Sequence, residues 1–184
     1  MRDIAVETET VQPEPELIER VINIKRISKV MKGGKRMRIS ATVVVGDGKG
    51  QVGVGHGKAV EVAAAVRKAA AQAQKQMVKI TFRGHTIPHE TWGKFGASRV
   101  LVKPAAPGTG LIACPQVRAV LEAAGLSDAL TKAYGSRNHY NTARATILAL
   151  QKLRTIDMTA AARNKPIRHF VEKKQNETVE SPAD

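Results

Sequence analysis

The chain has little of several things, and each scarcity excludes something. A single cysteine, Cys114, among 184 residues leaves no partner for an internal disulfide and fits a reducing compartment. It reads as a small buried or half-buried hydrophobe. Aromatic residues make up only 3% of a composition that is 42% apolar. The core must therefore come from Val, Ile, Leu and Ala, and base stacking on aromatic rings is not expected as the main binding mode. No apolar run approaches the roughly 20 residues that span a bilayer, and the acidic, Pro-containing start is no signal peptide. A cytoplasmic location without membrane contact is expected.

Acids are scarce too, except at the ends. Residues 1–16 hold one base and five acids, and residues 171–184 hold two bases and four acids. That leaves 27 bases and 7 acids between Leu17 and Phe170, so a formal +14 for the whole chain becomes +20 for its body. A charge run usually means only a solvated face. At this density over a whole body, self-repulsion opposes compaction and a polyanionic partner relieves it. The few acids of the body form no acid/base pair in sequence, and no nucleophile stands with a base. His85 and His89 lie four apart without a third ligand, and His89-Glu90 lacks the second histidine of a zinc protease motif. They read as surface or RNA-facing residues. Neither an enzyme nor a metal or cofactor site is expected.

Hydrophobic patterning divides the chain into an arm at 1–16, α+β domains at 17–81 and 82–165, and a flexible tail at 166–184. Pro13, Pro15 and the missing periodicity mark the arm as disordered. From Leu17 to Val30 the β-branched Val21, Ile22, Ile24 and Ile27 predict a strand, with Lys25, Arg26 and Lys29 exposed along it. A turn follows at Lys32-Gly33-Gly34-Lys35-Arg36. Then Met37, Ile39, Ala41, Val43 and Val45 alternate with Arg36, Arg38, Ser40 and Thr42, predicting a half-buried strand with a basic, polar outer face. Gly46-Asp47-Gly48-Lys49-Gly50 supplies a hairpin turn, and Gln51 to His56 a third strand. Ala59 to Lys79 reads as a helix burying Ala59, Ala63, Val66, Ala70, Ala73 and Met77. These make a three-stranded antiparallel sheet backed by one helix.

In the second domain, Arg99 to Lys103 is the clearest strand, with His85 to Trp92 as its expected partner through a loop at Gly93 to Gly96. Pro104 to Gly110 is a Pro/Gly-rich loop. Pro115 suits a helix's first turn, and Gly125 ends that helix. Leu126 to Tyr134 stays open between strand and helix. Tyr140 to Leu153 reads as a helix burying Ala143, Ile147 and Leu150.

Gly48-Lys49-Gly50-Gln51-Val52-Gly53 satisfies the dinucleotide fingerprint, but the glycines precede a strand-like segment and no acid stands where ribose needs one. In the phosphate-loop pattern, Ala59 stands where Ser or Thr must bind magnesium. A glycine-rich hairpin that lets backbone approach backbone or RNA phosphate explains the stretch better. By contrast Lys25, Arg26, Lys29, Lys32, Lys35, Arg36, Arg38, Lys49 and Lys58 cluster at turns and strand ends, where cations and backbone amides meet phosphates together. Gly33 and Gly34 belong to that candidate contact tip.

The ordered series KGGKR, VVVGDGKGQVGVGHGKA, an Ala-rich helix, ASRVLVKPAAPGTGLIA, VRAVLEAAG, KAYGS and ATILAL closely resembles the family of bacterial small-subunit ribosomal protein five, over about residues 17–165. The resemblance implies a first domain like a double-stranded-RNA-binding domain lacking its first helix. It implies a second domain with a βαβ-containing α/β sandwich of unusual hand. It further implies a place at the head/body junction of the small subunit near the mRNA path, contacts with small-subunit rRNA and ribosomal proteins four and eight, and a part in decoding fidelity. No homo-oligomer is implied. Lys32 to Arg36 match the loop that reaches rRNA near the spectinomycin site. Gly108, Thr109, Gly110 and Arg118 match the region facing ribosomal protein four. Cys114-Pro115, Asn138-His139-Tyr140 and a long acidic arm depart from the family pattern, which bears on local loop shape.

Overall fold

A computed structural model describes residues 17–167; the acidic arm, and the tail from residue 168 onward, lie outside the described residues. The first sheet is built by β1 (Ile18–Met31), β2 (Gly34–Gly46) and β3 (Gln51–Ala59), all antiparallel in chain order, backed by α1 (Val62–Lys75). A two-residue strand, β4 (Val78–Lys79), adds a fourth member along β3. Helix α1 is shorter than the 59–79 that periodicity predicts, because Ala59 is still paired to Ile39 in the sheet and Val78 already pairs with Val52.

The buried face of the helix overlaps the predicted one at Ala70, Ala73 and the half-buried Val66 but is shifted at its start. Ala65, Ala69, Ala70 and Ala73 are inside, whereas Ala63 is exposed. The phase is set by the strand beneath. A Cβ on Gly57 would sit 2.2 Å from the Ala65 carbonyl oxygen, one on Gly55 1.9 Å from that of Ala69, and one on Gly53 2.2 Å from that of Ala73. Three glycines at every second strand position thus match three alanines at every fourth helix position, and backbone lies against backbone.

The second sheet has the order β5-β6-β8-β7. Strands β5 (Thr91–Phe95), β6 (Ser98–Pro104) and β8 (Ala129–Gly135) are antiparallel to their neighbours; β7 (Leu111–Ile112) runs parallel to β8 and connects to it through α2 (Pro115–Ala124), a βαβ unit. The open stretch after Leu126 is therefore a strand. Pro115 occupies the first turn of α2, and Gly125, with φ of 88°, caps it as predicted. The strand expected at 85–92 is displaced to Thr91–Phe95, and the loop expected at Gly93–Gly96 shrinks to a turn at Gly96-Ala97. Gly93 is inside the strand because α3 (His139–Gln151) crosses it so closely that a Cβ there would lie 1.9 Å from the Ala145 carbonyl oxygen. A short α4 (Ile156–Ala162) was not predicted; Thr155 caps it, accepting from the Met158 N–H at 3.1 Å.

The two domains share one core. Val44, Val52 and Val54 of the first sheet are buried in the same cluster as Val117 and Leu121 of α2, Ile147 and Leu150 of α3, and Val100 and Val102 of β6. This corrects the expected outer face of β2. Ser40 and Thr42 are only 6% exposed, because the second domain covers them. Main chains touch at the joint: the Gly48 N–H donates to the Ala123 carbonyl at 3.0 Å, and a Cβ on Gly125 would lie 2.0 Å from the Gly48 oxygen.

Candidate nucleic-acid interface

Pairing between β2 and β3 stops at Ile39, while β1 and β2 remain paired as far as Met31 and Gly34. The outer part of the hairpin is therefore a two-stranded ribbon, standing about 16 Å beyond the third strand at 3.3 Å per residue. Every residue from Ile24 to Arg38 is exposed. Between residues 20 and 46 the sequence has eight bases and no acid. Gly34 closes the tip at a φ of 127°, a conformation that excludes most side chains, although nothing crowds it.

Register sorts the predicted cations. Lys25 pairs with Ser40, Ile27 with Arg38 and Lys29 with Arg36 on β1 and β2, while Ser40 pairs with Lys58 on β3. Directly opposed residues share a face, so Lys25, Lys29, Arg36, Arg38 and Lys58 stand together. Ile27, Lys29, Met31, Arg36, Arg38 and Lys58 line a hollow of about 310 Å³. Arg26 and Lys35 point from the opposite face, and Lys32 sits at the tip beside Gly33. Lys49 is not part of the group. It lies in the β2–β3 turn at the other end of β2, about 40 Å along the strand at 3.3 Å per residue, where its N–H donates to Asp47 Oδ1 at 2.8 Å.

On the same sheet face, toward the second domain, lies a polar cleft of about 180 Å³. Asn23, Lys25, Ser40, Thr42 and His56 line one side, and Asn138, His139 and Tyr140 at the start of α3 line the other. Apart from Lys25, none of these stands among the predicted contacts, and no local signal could have gathered them from four separate segments. Asn138 caps α3 by accepting from the Tyr140 N–H at 3.2 Å. Tyr140 brings its ring to 5.6 Å from that of His56. The two His56 ring nitrogens meet Ser40 Oγ at 3.1 Å and Thr42 Oγ1 at 3.3 Å, and the His56 N–H donates to Gln72 Oε1 at 2.9 Å. Burial and then the nearby Lys58 cation hold the His56 imidazole below its ordinary pKa, which keeps it neutral.

Arg118 reaches the end of the Gly108–Gly110 loop, on the side of α2 where it lines a hollow with Arg20 and Val21 of β1. The loop is shaped by φ of 86° at Gly108 and 75° at Gly110. The Gly110 N–H donates to the buried Asp128 carboxylate at 2.8 Å, and Arg118 Nη2 donates to the Leu111 carbonyl at 2.9 Å. Arg118 thus fixes the end of the loop it was grouped with. Beside it Arg20 and Glu122 form an exposed ion pair at 3.7 Å.

The glycine fingerprint runs into β3 rather than into a helix, so no amide end is presented to a pyrophosphate. His85 and His89 are exposed, and among the described residues no three His, Cys, Asp or Glu side chains are grouped as a metal would need. No helix among them is long and apolar enough to cross a membrane.

Comparison with known proteins agrees with this architecture. Residues 17–81 match the family model of the ribosomal protein S5 N-terminal domain, and residues 93–163 that of its C-terminal domain. The small ribosomal subunit protein uS5 of Syntrophobacter fumaroxidans is 46% identical over 89% of this chain and 96% of its own length. That of Lawsonia intracellularis is 51% identical over 84% of this chain and 94% of its own, and that of Magnetococcus marinus 52% identical over 83% and 86%. The chain therefore belongs to the ribosomal protein S5 family, whose members are structural, non-catalytic constituents of the small ribosomal subunit.

Proposed function

We propose that the chain binds folded small-subunit rRNA through the β1–β2 ribbon and holds the head of the subunit relative to its body. The observation that carries this is an acid-free ribbon, exposed on both sides, with Lys25, Lys29, Arg36, Arg38 and Lys58 on one face. A-form RNA is recognised through phosphates, 2′-hydroxyls and shape, and a stiff two-stranded ribbon with cations at fixed spacing suits that mode better than base reading. The Gly108–Gly110 loop, tied down by Asp128 and Arg118, is proposed to face ribosomal protein four and so to affect decoding accuracy. Ribosomal protein eight is the other protein neighbour that the family resemblance implies.

The test is chemical footprinting of small-subunit rRNA reconstituted with the chain and with a Lys29→Ala, Arg36→Ala, Arg38→Ala variant. Protections that vanish only in the variant support the ribbon as the contact. An identical footprint would refute it. For the protein contact, Arg118→Ala is expected to change stop-codon readthrough in a reporter strain; unchanged readthrough would remove that assignment.

A further inference from the structure

The second sheet leaves one face open. Its inner side chains, among them Val100, Val102 and Ala129, are buried under α2 and α3, whereas nothing among the described residues covers the other side. Strand register arranges that open face in rows. Trp92, Leu101 and Lys132 form one, Lys94, Arg99 and Tyr134 the next, and Lys103 with Leu130 a third. Trp92 is 47% and Tyr134 46% exposed, far above what large aromatic side chains of a core show. They belong to edge strand β5 and to β8, two strands apart, yet their ring centroids are 5.6 Å from each other at an interplanar angle of 32°. The rings therefore lean together over β6 and form one shelf. The β5 edge under the shelf is held by Lys152 Nζ, which donates to the Trp92 carbonyl at 2.9 Å.

Charge decides what the shelf suits. Lys94, Arg99 and Lys132 flank the rings, and no acid among the described residues pairs with any of them; Glu90, two residues before Trp92, is engaged by Lys103 at 3.3 Å. An acidic protein segment would satisfy the cations but would leave two ring faces without a matching planar partner. A nucleotide satisfies both, with its base stacked on a ring and its phosphate on a neighbouring cation. Paired bases are already stacked on one another, so the matching ligand is unpaired.

We propose that the open face of the second sheet is a second RNA-binding surface, separate from the ribbon, on which unpaired nucleotides stack against Trp92 and Tyr134. The chain has six aromatic residues in all. Two of them exposed side by side among cations reverse the expectation that stacking plays no main part. The ribbon takes duplex phosphates and this face takes single strands, so the inference goes beyond the function proposed above and does not depend on it.

Trp92 is the one tryptophan of the chain, which makes its fluorescence a direct reporter. Titrating the full chain with a single-stranded oligouridylate should quench that emission to saturation. Tyr134→Ala should weaken the binding roughly tenfold, as loss of one stacked base would, and Lys132→Ala should weaken it by a smaller factor. Both positions are exposed, so thermal melting should match the parent chain. A matched RNA duplex should quench far less. The Lys29→Ala, Arg36→Ala, Arg38→Ala variant should lose duplex affinity while keeping the quench, which separates failure of the ribbon from failure of the shelf. Absent quenching, quenching unchanged by Tyr134→Ala, or equal quenching by duplex would overturn the proposal. So would a photo-crosslinker at position 92 that captures only protein in assembled small subunits.

Discussion

The five cations that share a ribbon face set a number that a salt titration can read. If Lys25, Lys29, Arg36, Arg38 and Lys58 each neutralise one phosphate of a short A-form duplex, the logarithm of the binding constant should fall with the logarithm of salt at a slope of about −4.5. Between about 50 and 200 mM salt that slope is a loss of roughly 500-fold in affinity. Replacing Lys29, Arg36 and Arg38 with alanine leaves two of the five contacts, a slope of about −1.8 and a loss of only about 12-fold over the same range. Replacing Arg26 and Lys35, which the register puts on the opposite face, should change the slope by less than one unit. Lys49→Ala, at the far end of β2, should leave it unaltered on a duplex too short to reach both ends. Fluorescence anisotropy of a labelled duplex at several salt concentrations measures all of these. Should the triple variant keep its slope, or the Arg26, Lys35 pair account for the larger share, assignment of the contact to this face would be wrong.

Gly55→Ala places a methyl 1.9 Å from the Ala69 carbonyl oxygen. Lifting α1 off β3 at about 1–3 kcal/mol should lower the melting temperature by roughly 4–10 °C, and an unchanged melt would refute the close approach. The lowered pKa of His56 carries a definite sign. Above the ordinary value of 6.5 the ring is neutral in both folded and unfolded chains; below it the unfolded chain takes up the proton more readily, so stability is lost as the pH drops. His56→Gln should flatten the urea midpoint between about pH 7 and 5, and NMR titration of His56 at or above 6.5 would contradict the burial argument. Gly125→Ala combines a φ of 88° with a 2.0 Å approach to the Gly48 oxygen. It should destabilise more than Gly34→Ala at the open tip, and equal losses in differential scanning calorimetry would show that the domain joint is not that tight.

Much of this was legible in sequence where the signal is local. The alternation of β2, the Asp-Gly turn, the strand character of the glycine-rich stretch, and Pro115 and Gly125 bracketing α2 all depend on residues close together. What could not be read depends on what lies across. In an Ala-rich helix many positions look apolar, so periodicity finds Ala70 and Ala73 but takes Ala63 for Ala65 and misses Ala69, which Gly53, Gly55 and Gly57 select. Gly93 reads as a loop residue because a strand glycine and a loop glycine differ in sequence only by what presses on them, here α3. Ser40 and Thr42 read as solvent-facing because nothing local announces that a second domain covers them. α4 had a weak local signal, Thr155 with Asp157 in the first turn, which a longer apolar stripe would have strengthened. At the candidate site sequence puts the cations on positions that the structure exposes, but register alone separates Lys29 and Arg36 from Arg26 and Lys35.

The same strand explains why the ribbon can act as a contact at all. From Ala41 to Gly46, β2 is buried on both sides, with Val43 and Val45 under α1 and Val44 in the core shared with α2 and α3. From Gly34 to Arg38 it is exposed on both sides. One continuous backbone thus runs from a root clamped between two domains into a free ribbon, and its ladder with β1 is broken only by a bulge near Ile22. Cations carried on an irregular loop would have to be ordered by the RNA at the moment of binding, at a cost in affinity for each side chain and backbone segment fixed. Here the backbone was ordered when the chain folded, and only the side-chain ends of Lys29, Arg36 and Arg38 remain to be immobilised. Loosening the root should therefore weaken RNA binding without touching a contact residue, which is why the packing of Val44 matters to a surface that begins several residues away.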